Sequence, residues 1–373
     1  MLRGSLALVL RTATVVAASL LMSAYATSTA DDVLVVTDRL LERLLSAAPP
    51  AAEARKDAAT LREDGSWPDI RYNDTTRTGS WSPHVHLQRM QNMAAVVRAT
   101  NDSNMALATN RAIEFWLRRD PRSLNWYWNE LAVPAQIANT ALLFQPWIDS
   151  RHTAGIMVKF MKRATYGRRT GANLDAEVST AITRAAVQSN HTLMRVAFNR
   201  LWEEIRVVQP TDPACIAPPH GTQGCLTDGI QIDHSFHQHG PQLLIGSYGE
   251  AYAADTLQSL ALSANTGFAP ANEQCALFAS LLIDGMRWMT VGSPARWDWS
   301  VKGRDMGTVA RQVKLNASLF GVFDGCVSGE QKAQLAAFGA AIEKQGGEPE
   351  RLRGHRAYWA SVRGKSNAAC VYM

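Results

Sequence analysis

The segment Asp233-His234-Ser235-Phe236-His237-Gln238-His239, followed by Gly246-Ser247-Tyr248-Gly249, holds the residue types best suited to moving a proton. His239 and Tyr248 stand nine residues apart among glycines and small polar residues. An imidazole accepts a proton near neutral pH, and a phenol does so once neighbours lower its pKa from about 10. If the fold brings Asn173 and Arg304 close, they add a neutral and a cationic donor for a developing anion. Such a set suits removal of a proton beside a carboxylate. Read singly, each residue also has a plainer role. Asn173 could cap the helical run from Leu174, His239 could start a helix or sit in a loop, Tyr248 could be a buried ring, and Arg304 a surface cation.

His234, His237 and His239 also raise a metal site. Their spacings of three and two converge on an ion only in a bent loop, and no carboxylate pattern completes the set, so neither a metal nor another cofactor is expected.

The elements that must position these residues read as helices. Apolar residues recur at three- and four-residue spacing over 33–48, 85–99, 104–118, 134–144, 174–187, 193–208, 251–262, 272–291 and 329–344. Strand-like alternation is almost absent before residue 350. Loops rich in Gly, Pro, Asn and Trp separate the runs, as at Gly65-Ser66-Trp67-Pro68 and Gly292-Ser293-Pro294. About ten helices in antiparallel pairs predict an all-α domain, with the distinctive polar residues in the connections. Trp67 and Trp81 lie in such loops and are read as structural plugs.

At 373 residues, with 46% apolar and 19% charged residues, the chain can bury one large core or two modest ones and is not a disordered type. Eleven tryptophans fill cores or, in polar surroundings, stack on sugar rings. Residues 1–26 read as a secretory signal, with Arg3, an apolar stretch over 6–22 interrupted by Arg11, and a small-residue site at Ala24-Tyr25-Ala26. Its removal takes the formal charge from +5 to +3, compatible with an acidic polymer. No Lys/Arg block suggests nucleic acid, and no later segment suggests a membrane span. Sequons at Asn73, Asn101, Asn190 and Asn316 fit a secreted glycoprotein. Of five cysteines, Cys215 and Cys225 flank a Pro- and Gly-rich loop and could pair locally, while Cys275, Cys326 and Cys370 have no assigned partner. From Gly346 the chain turns β-leaning, with short runs over 356–362 and 368–373 that read as a first hairpin of a further domain.

Together these stretches resemble polysaccharide lyase family eight, the hyaluronate, chondroitin and xanthan lyases, over nearly all of the mature length. The matching segments are Asp64 to Asn73 (DGSWPDIRYN), Asn125 to Glu130 (NWYWNE), Thr170 to Asn173 (TGAN), Asp228 to His239, Gly246 to Gly249, and Asp298 to Arg304 (DWSVKGR), in the family's order. The resemblance implies an incomplete α/α toroid of helical hairpins at 27–345, and the opening of a truncated β-domain at 346–373. It implies β-elimination on uronate-containing polysaccharides by a monomer. Asn173 would donate its amide to the substrate carboxylate, His239 would be the neutral imidazole beside the C5 proton, and Tyr248 would relay that proton to the leaving oxygen. Which of the two is the base is left open. Arg304 would stabilise charge on the carboxylate or lower the pKa of the phenol. Asn125, Trp126 and Tyr127 match an aromatic patch that stacks sugar rings, against a plainer reading as core.

Two departures stand out. Where the family often has a second arginine, four residues beyond Arg304, this chain has Thr308, with Arg311 out of register. The stretch around Cys215 to Cys225 lengthens the path from Asn173 to His239. A supporting glutamate of the family falls in the β-domain. Two other readings compete: a glycoside hydrolase using two of Asp228, Asp233 and Asp298, and a non-catalytic glycan-binding remnant.

Overall fold

The computed structural model describes residues 31–75, 79–148, 150–167, 169–208, 228–240, 242–303 and 312–344. The described helices are α1 (31–46), α2 (Ala51–Ala59), α3 (His84–Thr100), α4 (Ser103–Arg119), α5 (Val133–Phe144), α6 (Arg151–Met161), α7 (Gly171–Val187), α8 (His191–Glu204), α9 (Glu250–Ser263), α10 (Asn272–Ser280) and α11 (Gly329–Glu343). Two packing units result. One holds the described residues up to Lys162 with Ala181–Val196 and Leu262–Ala269; the other holds Arg163–Thr180, Ala197–Ala261 and the described residues from Pro270.

The first unit shows why the apolar spacing gives paired helices. α3 ends where Asn101 adopts a left-handed conformation (φ 54°) and returns its N–H to the Val97 carbonyl. The next residue, Asp102, starts α4 by accepting the Met105 N–H at 3.0 Å. Two residues therefore reverse the chain. α3 then packs on α2, α4 and α5, and α5 on α6. Leu87, Met90, Ile113, Trp116 and Ile137 are fully buried, each contributing about 1.5–3 kcal/mol of apolar burial.

The loop tryptophans are plugs, as their surroundings suggested. Trp67 is fully buried, donates its indole N–H to the Asp57 carbonyl at 2.9 Å, and meets the His86 ring edge-on. Trp81 donates to the Asp74 carbonyl at 2.8 Å. Burial pushes the His86 imidazole down to about 3, so it serves as a neutral hydrogen-bonding spacer between Tyr72 and the Ala112 carbonyl.

In the second unit a row of rings (Phe236, Tyr252, Phe278, Phe323) runs through the core at centroid spacings of 4.9 to 6.1 Å. A disulfide joins Cys275 of α10 to Cys326, giving two of the unassigned cysteines a partner. Cys215, Cys225 and Cys370 lie outside the described residues, as do 1–26 and 346–373.

Several boundaries differ from the sequence expectation. The run 193–208 is helical only to Glu204, after which Val207 pairs with Ile230. The run 272–291 stops at Ser280 and continues as a wide turn (Leu281–Gly285), a 3-10 turn (Met286–Met289) and a short strand at Thr290–Val291. The reason is local: a Cβ on Gly285 would lie 1.9 Å from the His234 carbonyl oxygen, so the chain narrows there to admit another segment. α2 and α6 were not foreseen, and α2 buries only Ala54 and so shows no apolar stripe. Before residue 350 the described residues hold two antiparallel pairs of two-residue strands, Gly229–Ile230 with Phe236–His237 and Thr290–Val291 with Arg296–Trp297. They are too short to show alternation.

Candidate active site

The histidine segment begins as a tight hairpin. Gly229 pairs with His237 and Ile230 with Phe236, across a turn in which the Gln231 N–H bonds the Ser235 carbonyl. Asp233 accepts the Ser235 N–H, and His234 takes a left-handed conformation (φ 60°). Phe236, His237 and Gln238 are all buried. His239 is not: its backbone also turns left-handed (φ 61°), and its ring is exposed. The strand thus stops at the residue whose imidazole was expected to act.

Tyr248 sits on a five-residue π-helical turn, Ile245–Gly249, that leads directly into α9. Such wide turns hold an extra residue and recur at functional sites. The flanking glycines let it pack tightly. A Cβ on Gly249 would lie 3.2 Å from Phe236 Cβ, and one on Gly246 3.1 Å from the Val301 carbonyl oxygen. Held this way, the half-buried Tyr248 ring meets His239 edge-on, with centroids 4.6 Å apart and planes at 86°. The two candidate proton carriers are in contact.

Asn173 lies in the first turn of α7, half-buried, with no hydrogen bond to its side-chain amide among the described residues. It is not the cap. The residues around it are held by buried side chains instead: Glu204 accepts the Gly171 N–H at 2.6 Å, and Gln238 Oε1 accepts the Ala172 N–H at 3.2 Å. These bonds satisfy donors that a helix start leaves open. Gly171 has φ 56°, and a Cβ there would lie 2.2 Å from Gln238 Oε1, so only glycine admits this contact. Asp228 completes the arrangement, accepting from Thr170 Oγ1 (2.9 Å), Gln238 Nε2 (2.6 Å) and the Gly240 N–H (3.0 Å).

Burial raises the Asp228 carboxyl, against the lowering effects of the Gly240 N–H, Thr170, the nearby His239 and Gln238. Burial likewise raises Glu204, opposed first by the Gly171 N–H and then by Arg200. His237 is pushed down by burial and neither ring nitrogen has a partner among the described residues, so this neighbour of the site is an uncharged imidazole. Among the described residues no cluster of three His, Cys, Asp or Glu is placed to hold a metal ion. Arg304, Thr308 and Arg311 lie outside the described residues. The segment leading to Arg304 is described: Asp298 starts a 3-10 turn at Trp299–Val301 by accepting the Ser300 N–H and hydroxyl, and Lys302 is fully buried.

The aromatic patch belongs to the first unit. Trp126 is 39% exposed and Tyr127 44%, so these rings are surface, not core; Trp128 is buried beside Trp81 and His84. The loop is cinched by its own polar groups. Asn129 accepts the Ser123 N–H at 3.0 Å and donates to the Ser123 carbonyl at 2.7 Å, and Asn125 accepts the Tyr127 N–H at 3.1 Å. Sequence reasoning did not single out Asn129, Glu204 or Gln238. Their spacing within polar motifs carries no signal of which distant backbone each one holds.

A sequence model of the polysaccharide lyase family 8 N-terminal alpha-helical domain matches residues 26–306, and the chain belongs to that family. It is similar to chondroitinase-AC of Pedobacter heparinus, 28% identical over 258 residues, which are 67% of this chain and 34% of that protein. Among solved structures it is similar to a chondroitinase AC lyase studied in oligosaccharide complexes (TM-score 0.71, 22% identity, 86% of this chain and 46% of that one). It is also similar to Paenibacillus xanthan lyase (TM-score 0.60, 11% identity, 86% and 32%). These likenesses show the fold, the all-α class of the α/α-toroid lyases. The chain spans 32% to 46% of the length of these relatives.

Proposed function

We propose that the chain is a secreted polysaccharide lyase, with 27–345 as its catalytic domain, that cleaves uronate-containing polysaccharides of the hyaluronan, chondroitin or xanthan kind by β-elimination. The observation that carries the reading is the edge-on contact of the exposed His239 ring with Tyr248 at 4.6 Å. Two proton-transfer groups that share one locus can remove a proton and deliver it to a leaving oxygen.

In this mechanism the Asn173 amide donates to the uronate carboxylate and withdraws charge from it, which makes the C5 proton more acidic. Arg304 adds positive charge. The C5–H bond breaks towards His239 or Tyr248, its electrons form the C4–C5 double bond, and the C4–O bond breaks. The leaving oxygen takes a proton from the Tyr248 phenol. Trp126 and Tyr127, in a loop where Asn125 Oδ1 accepts the Tyr127 N–H, offer the exposed faces on which sugar rings stack. The substrate is an acidic polysaccharide and the enzyme acts as a monomer without a cofactor.

The described carboxylates favour elimination over hydrolysis. A hydrolase needs two carboxyls facing the scissile bond. Asp228 is buried and accepts from three donors, Asp298 is 1% exposed with one oxygen engaged by Ser300, and Asp233 accepts the Ser235 N–H. Secretion and glycosylation accord with sequons at Asn101, Asn190 and Asn316 that are all exposed, and no described helix is long and apolar enough to cross a membrane. The test is incubation with hyaluronan, chondroitin and xanthan while ultraviolet absorbance is followed. Elimination leaves a conjugated uronate that absorbs; reducing ends that accumulate without such absorbance would establish hydrolysis instead.

A further inference from the structure

We propose that Asp228 is a positioning residue for the elimination: its buried carboxylate fixes the His239 segment against the start of α7, which carries Asn173. The inference rests on the reading of His239 and Asn173 as reacting groups.

The bonds fall on the immediate neighbours of those two residues. Asp228 accepts from Gln238 Nε2 and from the Gly240 N–H, the residues on either side of His239. The same carboxylate accepts from Thr170 Oγ1, one residue before α7 begins. Gln238 closes the loop, because its Oε1 accepts the N–H of Ala172, the residue before Asn173. Gln238 is 1% exposed and Asp228 8%, so water competes little for these bonds. Gly171 completes the fit, since a Cβ there would lie 2.2 Å from Gln238 Oε1. Both Asp228 oxygens accept bonds from the segments that carry His239 and Asn173. Its effect is transmitted through geometry, and a displacement of about 1 Å at reacting groups can cost a hundredfold in rate.

The polarity of the Asp228–Gln238 bond permits a reciprocal test. Asp228→Asn leaves one amide oxygen where two carboxylate oxygens served Gln238 Nε2 and the Gly240 N–H, so one of those bonds is lost whichever way the amide turns; Gln238→Glu sets a carboxylate against the Asp228 carboxylate and breaks the bond between them. The double variant Asp228→Asn/Gln238→Glu restores it with donor and acceptor exchanged. The amide introduced at position 228 then donates to the carboxylate introduced at position 238, which still accepts the Ala172 N–H. The four 373-residue chains are assayed for unsaturated product on the best polymer, with kcat, KM and Tm measured for each. Each single variant should lower kcat about tenfold to a hundredfold with KM within about twofold. The double variant should recover at least half of the lost decades, with no parallel recovery in Tm. Singles that keep wild-type kcat, or a double no better than the worse single, would overturn the assignment, whatever happens to Tm. If wild type forms unsaturated product and the swap fails, only the positioning claim falls. If wild type forms none on any uronate polymer, the lyase reading falls and the positioning claim with it.

Discussion

The aromatic loop of the first unit and the His239–Tyr248 locus of the second solve opposite problems. Around Trp126 and Tyr127 the rings are exposed, and a neutral amide, Asn129, cinches the backbone of a short loop. Around His239 one ring is exposed and the segments that hold it are buried, bonded to Asp228 and Glu204. A stacking surface tolerates small shifts, because apolar contact is non-directional. Proton transfer does not, and charge-assisted bonds are shorter and stiffer than neutral ones. The difference points to binding spread over a compliant surface and chemistry concentrated on a rigid one.

The comparison breaks most visibly at His239. His239→Ala should lower kcat by about a hundredfold to ten-thousandfold while polymer affinity stays within a fewfold, as expected for a lost general acid or base. Steady-state kinetics with a separate binding measurement checks this. An equal fall in affinity would mean that His239 binds more than it reacts.

Next in size is Gly171→Ala. A left-handed non-glycine residue costs about 1–3 kcal/mol, and here the new methyl also displaces the Gln238 amide. Thermal unfolding should show Tm down by several degrees, with kcat reduced in the surviving folded protein. A neutral result would show that the start of α7 is softer than the buried bonds imply.

On the compliant side, Trp126→Ala should weaken binding of long chains about tenfold, near 1.4 kcal/mol, with kcat at saturation nearly unchanged. Titration of catalytically dead protein with polymer measures it, and unchanged affinity would remove the stacking role.

The smallest effect concerns stability. Asp175 is fully buried, with Oδ2 accepting from Thr256 at 2.8 Å and Oδ1 lacking a partner among the described residues. Burial, then the charge of Asp255, raises its carboxyl well above the usual range. Because the folded value exceeds the unfolded one, its favourable contribution is full below an unfolded pKa of about 3.9 and is lost as pH rises through the folded value. Asp175→Asn, which keeps an acceptor for Thr256, should therefore leave Tm at pH 7 unchanged or slightly higher. It should also flatten the loss of Tm as pH is raised from the acid side. A marked drop at pH 7 would show that the charge is stabilising.

The helices legible in the sequence are those with a wide apolar face, such as α3 and α4. α2 was illegible because its alanines and charges bury a single methyl, and the end of α10 because it depends on a carbonyl from His234. At the site, motif and spacing pointed to His239, Tyr248 and Asn173. The pairing of Asp228 with Gln238, and of Cys275 with Cys326, depends on which segments meet in space, and their separation along the chain gives no hint of it. Burial sets Trp128 apart from the exposed Trp126 and Tyr127.

The central claim is that His239 and Tyr248 form one proton-transfer unit for elimination. Its most direct test follows conjugated product from the uronate polymers with wild type and Tyr248→Phe side by side. The phenyl ring keeps the edge contact with His239 and removes only the hydroxyl. Wild type should form unsaturated product and Tyr248→Phe essentially none, with polymer binding retained. Comparable rates of product formation from both proteins would contradict it.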